Sequence, residues 1–425
     1  MSIPISFRTP AIKPLRIMKK ISYILILSLM SALCLCSCEE ESIGQYPIDE
    51  VPPGPVTDVV VSETFGGGAV LSFQIPDDPD LMGVIANFTL DTGKETEVMV
   101  SSYARQLTVK GFAEAKEHPV SIRTMDKSRN LSDPVVVMVT PNRAPIYDVY
   151  ETLAMYDDFG GMQIQWENPE RQDIIISVSR PITEGSDMLE DVTTFYSSEK
   201  DGMANVRGFT EPQMFYVSVS DPYGNQTEMV SKLVSPMYEE EIQGSKYWKK
   251  WNPSDIPYKQ YSKSYPIEKL WDGITMEVST SSNFFHTPAG GTFPVRFTFD
   301  MQQVYQLSRM KMYHRGQQWV YKHGNPKVFS VYGSLSSNVK LDATDPENQW
   351  IFLGRFYSVK PSGLPVGEYT NEDLAKGGGG EEFNFPLQYS TPVRYIRFDV
   401  EETWGGTEMI HISELRMWGQ PDNSQ

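Results

Sequence analysis

The sequence predicts an all-β protein with several domains, and three observations support this fold class. Short segments in which apolar residues alternate with polar ones recur along the chain, for example at residues 295–299 and 393–398. This period of two is typical of strands with one buried face. The 31 glycines and 30 prolines supply the turns that many short strands need. At 425 residues the chain exceeds one ordinary domain of roughly 150 residues.

The charge of the chain excludes one class of partner. Its formal net charge is −18 and its isoelectric point is near 4.8. Nucleic acids bind mainly to cationic groups that displace counterions from phosphates, so we expect no nucleic-acid partner. The three cysteines lie at positions 34, 36 and 38, and none follows, so no disulfide framework is expected in the body of the protein.

The first 37 residues have the pattern of a signal peptide, and Met18 is the expected start of translation. Lys19 and Lys20 precede an apolar run at residues 21–33. A run of this length is too short to span the roughly 30 Å of a bilayer core as a helix. The sequence therefore predicts a secreted chain whose leader is removed.

The end of the leader, Leu35-Cys36-Ser37-Cys38, resembles a bacterial lipobox. The resemblance implies that Cys38 carries the lipid and that residues 38–54 form a tether from the outer membrane. The acidic residues 39–41 resemble the surface-export signal of lipoproteins in glycan-foraging Gram-negative bacteria, which implies that the body faces the cell exterior. An acidic tether without a sorting role is the alternative.

Two similar β-domains follow, predicted at residues 55–141 and 142–236. Leu71-Ser72-Phe73-Gln74-Ile75-Pro76 matches a segment that starts at Ile164, and a motif at Asp126 matches one at Asp221, with offsets of 93 and 95 residues. This period agrees with about 100 residues for an immunoglobulin-like sandwich. The strand with Trp166 and residues 215–225 resemble strands of fibronectin type III domains, in which Trp166 would be a core residue. We expect these domains to be spacers, with binding of a protein partner as the alternative.

A predicted linker at residues 237–246 leads to a C-terminal domain at residues 247–420. Seven of the eight tryptophans lie there. Ordered segments resemble the discoidin family, the coagulation factor five/eight type C domain: residues 267–273, 297–300 with 307–313, 329–334, 350–354, 394–398 and 412–419. The resemblance implies a jelly-roll β-sandwich, with Trp271 and Trp418 in its core.

The order of these parts resembles that of accessory lipoproteins of starch-utilisation-type outer-membrane systems. The resemblance implies an oligosaccharide or polysaccharide as the ligand and importer-complex proteins as partners. A structural or adhesive lipoprotein that binds another protein is the alternative.

Two loops of the C-terminal domain combine aromatic and polar residues in the way that sugar recognition requires. One is residues 314–323 and the other is residues 401–406. The resemblance to discoidin-type sugar binders implies that these loops bind the ligand, and packing between the loops is the alternative for each residue. The candidate ligand-binding residues are His314, Arg315, Trp319, Tyr321 and Trp404.

The same resemblance implies a structural calcium ion as a cofactor. Asp272 and Glu414 match positions that contribute ligands in the family. The chain departs from the family pattern at residues 274–276, where another aspartate is common, so a plain turn is the alternative. Calcium requires several oxygen ligands at about 2.3–2.6 Å.

The sequence has no motif for catalysis, and we expect a binding protein and not an enzyme. The five histidines lack the His-Glu-x-x-His spacing, and no Gly-x-Ser-x-Gly motif occurs. Gly377-Gly378-Gly379-Gly380 predicts a flexible loop. It is not a nucleotide site, because no Lys-Ser or Lys-Thr follows it.

Overall fold

A computed structural model describes residues 50–275 and 283–422. The predicted signal peptide, Cys38 and most of the tether therefore lie outside the described residues. The chain divides into two compact units, residues 1–144 and 145–425. Within the described ranges, no helix is long and apolar enough to cross a membrane.

The first unit contains a sandwich of two antiparallel sheets. Along its strands, buried apolar residues alternate with more exposed ones. Leu71, Val84, Val109 and Ile122 are fully buried between the sheets. The sheets have the orders β1-β2-β5 and β4-β3-β6-β7. The strands are β1 (Thr57–Phe65), β2 (Gly68–Gln74), β3 (Leu81–Thr89), β4 (Glu95–Ser101), β5 (Gln106–Lys110), β6 (His118–Asp126) and β7 (Val135–Val139).

The second unit begins with a sandwich of the same design. Its sheets have the orders β12-β9-β8 and β11-β10-β13-β14, which repeat the first sandwich strand for strand. Trp166 is 5% exposed in its core, as predicted. The elements are α1 (Ile146–Thr152), β8 (Ala154–Asp158), β9 (Gly161–Glu167), β10 (Ile174–Pro181), β11 (Leu189–Ser197), β12 (Asp201–Arg207), β13 (Gln213–Ser220) and β14 (Val230–Val234).

The repeat read from the sequence is confirmed in the turns after β6 and β13. The Asp126 carboxylate accepts hydrogen bonds from the backbone N–H and the side-chain amide of Asn130, at 2.8 and 2.9 Å. Asp221 accepts the same pair from Asn225 at 3.0 and 2.8 Å. An aspartate with these two bonds stabilises the local backbone geometry of its turn.

The C-terminal domain is built on one long bent strand, β18, in a sheet with the order β15-β23-β18-β22-β19-β20. The part of β18 up to and including Asp300 pairs with β22, and the part from Tyr305 onward pairs mainly with β23. The strands are β15 (Glu240–Glu241), β16 (Lys249–Lys250), β17 (Phe285–His286), β18 (Val295–His314), β19 (Pro326–Ser334), β20 (Ile351–Tyr357), β21 (Glu381–Asn384), β22 (Pro392–Thr403) and β23 (His411–Pro421).

Short helices complete this domain, whose core is rich in aromatic rings. The α-helices are α2 (Gly244–Tyr247) and α3 (Asn371–Gly379), and the 3₁₀ helices are Ile267–Leu270, Gln317–Trp319, Pro346–Asn348 and Leu387–Tyr389. Phe297 stacks on Phe398 with ring centroids 4.8 Å apart, and Trp271 is 6% exposed. The predicted all-β class, with tandem sandwiches before a jelly-roll-like sandwich, is confirmed.

The segment predicted as a linker is part of the C-terminal sheet. Strand β15 pairs with β23, so that Glu240 lies opposite Gly419. Trp418 was predicted as core but is only half-buried, and the guanidinium of Arg309 covers its ring at 4.0 Å. The reason is its position on β23 beside β15, where the domain meets the segment that leads in from the second sandwich.

Candidate functional site

The loops that follow β18 and β22 lie together at one end of the C-terminal domain. The backbone N–H of Trp404 donates to the carbonyl of Asn325 at 3.0 Å, and that of Gly405 donates to the carbonyl of His323 at 2.7 Å. Gly405 permits this approach, because a Cβ atom at that position would lie 2.5 Å from the Cα atom of His323. The two loops that the sequence analysis selected are therefore in contact.

Trp404 is half-buried, and three neighbours fix its indole ring. The ring packs edge-on against Tyr321, with centroids 5.1 Å apart and an interplanar angle of 87°. Its Nε1–H donates to the hydroxyl of Ser358 at 2.9 Å. The ammonium of Lys327 lies 5.5 Å from the ring centroid. A flat aromatic ring is thus held in one orientation at the surface.

A buried hydrogen-bond network continues from Ser358. The Ser358 hydroxyl donates to Oε2 of Glu381 at 2.5 Å, and Nε2 of His314 lies 2.9 Å from the same oxygen. Nδ1 of His314 accepts the backbone N–H of Tyr321 at 3.2 Å, so Nε2 carries the proton. The network links the segment after β20, the start of β21, the end of β18 and the loop beneath Trp404.

Helix α3 packs against this network and corrects one prediction. Residues 377–379 are the last turn of α3 and not a flexible loop. A Cβ atom at Gly377 would lie 3.1 Å from Tyr321 and 3.2 Å from His314, so the helix passes very close to both rings. Thr370 and Asp373 form a capping box that starts the helix, and this offsets the low helix propensity of its glycines.

The second aromatic cluster lies around Arg315. Its guanidinium carbon is 4.1 Å from the ring centroid of Trp319 and 4.5 Å from that of Phe284. Trp319 also packs on His323, with ring centroids 4.8 Å apart. Arg315 and Trp319 are both half-buried, so parts of both remain open to solvent.

The proposed calcium ligands lie close together at the start of the domain. Both oxygens of Glu414 accept the backbone N–H of Gly273, at 3.2 and 3.3 Å. Asp272 accepts the ammonium of Lys269 at 3.0 Å and the side-chain amide of Asn283 at 3.1 Å. Burial, opposed by the Gly273 bond and supported by the charge of Asp272, raises the pKa of Glu414 to about 8.

These groups fit a cation only in part. A buried carboxyl beside a second carboxylate is a site that a cation would stabilise. However, the ammonium of Lys269 already neutralises Asp272, and the described residues contain no group of three or more histidine, cysteine, aspartate or glutamate side chains that could hold a metal. The calcium site stays a prediction.

The structure divides the five candidate ligand-binding residues into two sets. Arg315, Trp319 and Trp404 retain exposed surface, whereas His314 and Tyr321 are 1% and 0% exposed. The buried pair supports the loop and the Trp404 ring from beneath, since neither side chain reaches solvent. The sequence alone does not indicate Ser358, Glu381 and Phe284 as parts of the site. No local pattern indicates them, because each contacts a partner that is at least 23 residues away in the sequence.

Three family models cover most of the described chain. Each is described only as a domain of unknown function, and they match residues 53–141, 142–245 and 271–419. No curated protein matches the sequence.

Several solved structures are similar to the chain. A SusE-like protein is 30% identical, with a TM-score of 0.42, and the match covers 65% of this chain and 100% of that protein. CBM32-3 from a family 31 glycoside hydrolase of Clostridium perfringens is 16% identical, with a TM-score of 0.30, over 42% of this chain and 95% of that one. Two fibronectin type III domains of chicken tenascin are 15% identical, with a TM-score of 0.21, over 43% and 99%. The last two likenesses are too distant to transfer a ligand or a role.

Proposed function

The chain belongs to the family of SusE-like proteins, since it is 30% identical to one member over that member's whole length, and from this premise we propose that it is a cell-surface lipoprotein that binds carbohydrate. The binding domain in this proposal is the C-terminal jelly roll. The ligand is an oligosaccharide or polysaccharide that the protein passes to an importer complex. Cys38 carries the lipid that holds the protein on the outer face of the outer membrane.

The observation that carries the proposal is the fixed ring of Trp404. Sugars present C–H faces that pack on aromatic rings, and a ring that is already oriented loses little conformational entropy on binding. The Nε1–H of Trp404 is bonded to Ser358, and Tyr321 supports the ring from the side. Gly405 and Gly406, which follow Trp404, are exposed, and Trp404 itself is half-buried.

The buried serine, histidine and glutamate beneath Trp404 support binding better than catalysis. In a hydrolytic triad the serine donates to the histidine and the histidine to the acid. Here both Ser358 and His314 bond to Glu381, and the serine oxygen accepts the indole N–H. All three side chains are buried, at 5%, 1% and 3% exposure, so no substrate reaches the serine.

Calorimetric titration of the purified full chain with a panel of plant and host oligosaccharides tests the proposal. We expect one glycan class to bind, and we expect Trp404→Ala to weaken that binding by about tenfold or more, since buried aromatic contacts dominate such interfaces. Tyr389→Ala is the matched control, because Tyr389 is a partly exposed aromatic residue that packs on Phe352 of β20.

Two results would contradict the proposal. If no glycan binds, the function is wrong. If glycan binds equally to the wild type and to Trp404→Ala, the ligand lies elsewhere on the chain. Membrane attachment is tested separately with Cys38→Ser, which we expect to move the protein out of the membrane fraction of cells.

A further inference from the structure

Arg315 differs from every other arginine of the C-terminal domain in its electrostatic surroundings. That domain contains seven arginines, and all seven lie in the described part of the chain. Six of them lie within 4.0 Å of a carboxylate oxygen, namely Arg296, Arg309, Arg355, Arg394, Arg397 and Arg416. Among the described residues, no carboxylate lies within that distance of Arg315.

The side chain of Arg315 makes no hydrogen bond to any residue in the described ranges. It lies between the rings of Phe284 and Trp319, at 4.5 and 4.1 Å. Its Nε atom is buried and has no partner in the described residues, whereas its two terminal nitrogens are not among the buried unpaired atoms. The planar group is therefore held by contacts on its faces, and the half-buried side chain retains exposed surface.

In the part of the chain that the structure describes, the neighbours of Arg315 add positive charge and no carboxylate pairs with it. The ammonium of Lys322 lies 5.6 Å from the ring of Trp319, and His323 packs on the same ring. Burial lowers the pKa of His323, and the charges of Lys322 and Arg315 lower it further. Burial lowers the pKa of Arg315 itself, as expected for a cation that lacks a partner.

A half-buried cation with no anionic partner is costly unless a ligand supplies the anion. Two parallel donors on the edge of a guanidinium match the two oxygens of a carboxylate or a sulfate. The net charge of −18 opposes an acidic ligand at long range, but salt screens that repulsion beyond about 8 Å under physiological conditions. The contact between the Arg315 guanidinium and an anionic group of the ligand therefore decides which ligand is preferred.

We propose that the ligand of this site is an anionic glycan and that Arg315 pairs with its acidic substituent. The substituent is a carboxylate of a uronic acid or a sulfate ester. The sugar ring that carries this substituent packs beside Trp319, and the neighbouring sugars of the glycan extend toward Trp404. This inference rests on the proposed function, because it assigns the class of glycan that the same pair of loops binds.

Paired ligands that differ only in charge test the inference. The purified full chain is titrated with oligogalacturonate and with its methyl ester, and with a sulfated galactan oligosaccharide and its desulfated form, which contains no uronic acid. We expect the anionic member of one pair to bind about tenfold tighter than its neutral partner, with an affinity that falls as salt rises. The pair that shows the difference identifies the substituent as carboxylate or sulfate.

Substitutions of Arg315 then test whether this residue causes the preference for the anionic ligand. Arg315→Gln is expected to remove the preference for the anionic ligand, and Arg315→Lys to retain part of it, because lysine keeps the charge but not the two parallel donors. Arg416→Gln is the control, since Arg416 pairs with Glu241 on β15, outside both loops, and its side chain is 36% exposed. It should leave the preference unchanged.

The outcomes separate the two proposals. Equal affinity for the charged and neutral members of both pairs in the wild type overturns the anionic class but leaves glycan binding intact. A preference that survives in Arg315→Gln overturns the assignment to this residue. Failure of every neutral and anionic glycan to bind overturns the proposed function and the inference with it. The comparison of paired ligands uses the wild type alone, so it remains decisive if a variant fails to fold.

Discussion

The indole N–H of Trp404 donates to the hydroxyl of Ser358, 46 residues away in the sequence, at a distance of 2.9 Å. The same hydroxyl donates to Glu381, so one buried serine connects the surface tryptophan to a buried carboxylate. Aromatic residues on loops usually rotate among several rotamers. This bond, together with the edge contact to Tyr321, selects one orientation before any ligand arrives.

Ser358→Ala is expected to weaken glycan binding without removing it. The change leaves the Trp404 N–H without its partner and removes one of the two hydrogen bonds to Oε2 of Glu381. An unsatisfied buried polar group costs about 1–3 kcal/mol. We expect a similar loss of folding stability in chemical denaturation, and a several-fold weaker affinity in calorimetry because the ring becomes mobile. Ser337→Ala, at an exposed serine of the same domain, is the control. Unchanged affinity would mean that the bond does not prepare the ring for binding.

Gly377→Ala is expected to destabilise the C-terminal domain although alanine favours helix formation. The new Cβ would lie 3.1 Å from Tyr321 and 3.2 Å from His314, closer than ordinary van der Waals contact. Overpacking of this kind costs about 1–3 kcal/mol, which exceeds the gain of about 1 kcal/mol in helix propensity. Thermal unfolding measures the difference. Lys376→Ala, at an exposed position of the same helix, should change stability little, and a more stable Gly377→Ala protein would contradict the packing.

The strands and the repeat were readable from the sequence because their signals are local. A strand shows its period of two within a few residues, and the Asp126 motif recurs at Asp221 with the same hydrogen bonds. Helix α3 was missed because its glycines have low helix propensity, although Thr370 and Asp373 have the spacing of a capping box.

The candidate site was predictable in its loops but not in the roles of its residues. An aromatic residue beside glycines indicated a surface position for Trp404. Tyr321 is also an aromatic residue of a predicted loop, but it is fully buried. It is covered by Trp404 and by the helix at Gly377, and both come from other parts of the chain. Burial of a loop residue depends on contacts distant in sequence, and one sequence contains no direct record of them.

Glu239 joins the second sandwich to the C-terminal domain, and its removal is expected to destabilise their shared unit. Its carboxylate pairs with Arg207 of β12 at 2.9 Å and with Arg309 of β18 at 3.1 Å, and it accepts a bond from Ser308 at 2.6 Å. Glu239→Ala leaves two partly buried arginines without this partner. Removing one member of a buried charge pair costs about 3–5 kcal/mol.

Glu382→Ala is the matched control for that prediction. Glu382 also pairs with Arg309, at 3.0 Å, but its side chain is 41% exposed whereas that of Glu239 is 11% exposed. Exposed pairs contribute about 0–1 kcal/mol. Denaturant unfolding of the two variants should therefore differ clearly, and equal losses would contradict the structural role of Glu239.

Glu414 gives the C-terminal domain a stability that depends on pH. Its pKa in the folded protein is about 8, above the ordinary value of 4.5. The folded state therefore retains a proton that the unfolded chain loses, so stability is highest below pH 4.5 and falls as pH rises toward 8. Each pKa unit corresponds to roughly 1.4 kcal/mol, so the total fall is of the order of a few kcal/mol.

Thermal unfolding between pH 5 and pH 8.5 measures this fall, and Glu414→Gln should abolish most of it because glutamine does not titrate. Calcium favours the ionised carboxylate. If Asp272 and Glu414 bind the ion, added calcium should raise the melting temperature at pH 8.5, a chelator should reverse the rise, and the glutamine variant should not respond. A pH-dependent fall without any response to calcium would show that the buried carboxyl is simply protonated and that the Asp272 turn needs no metal.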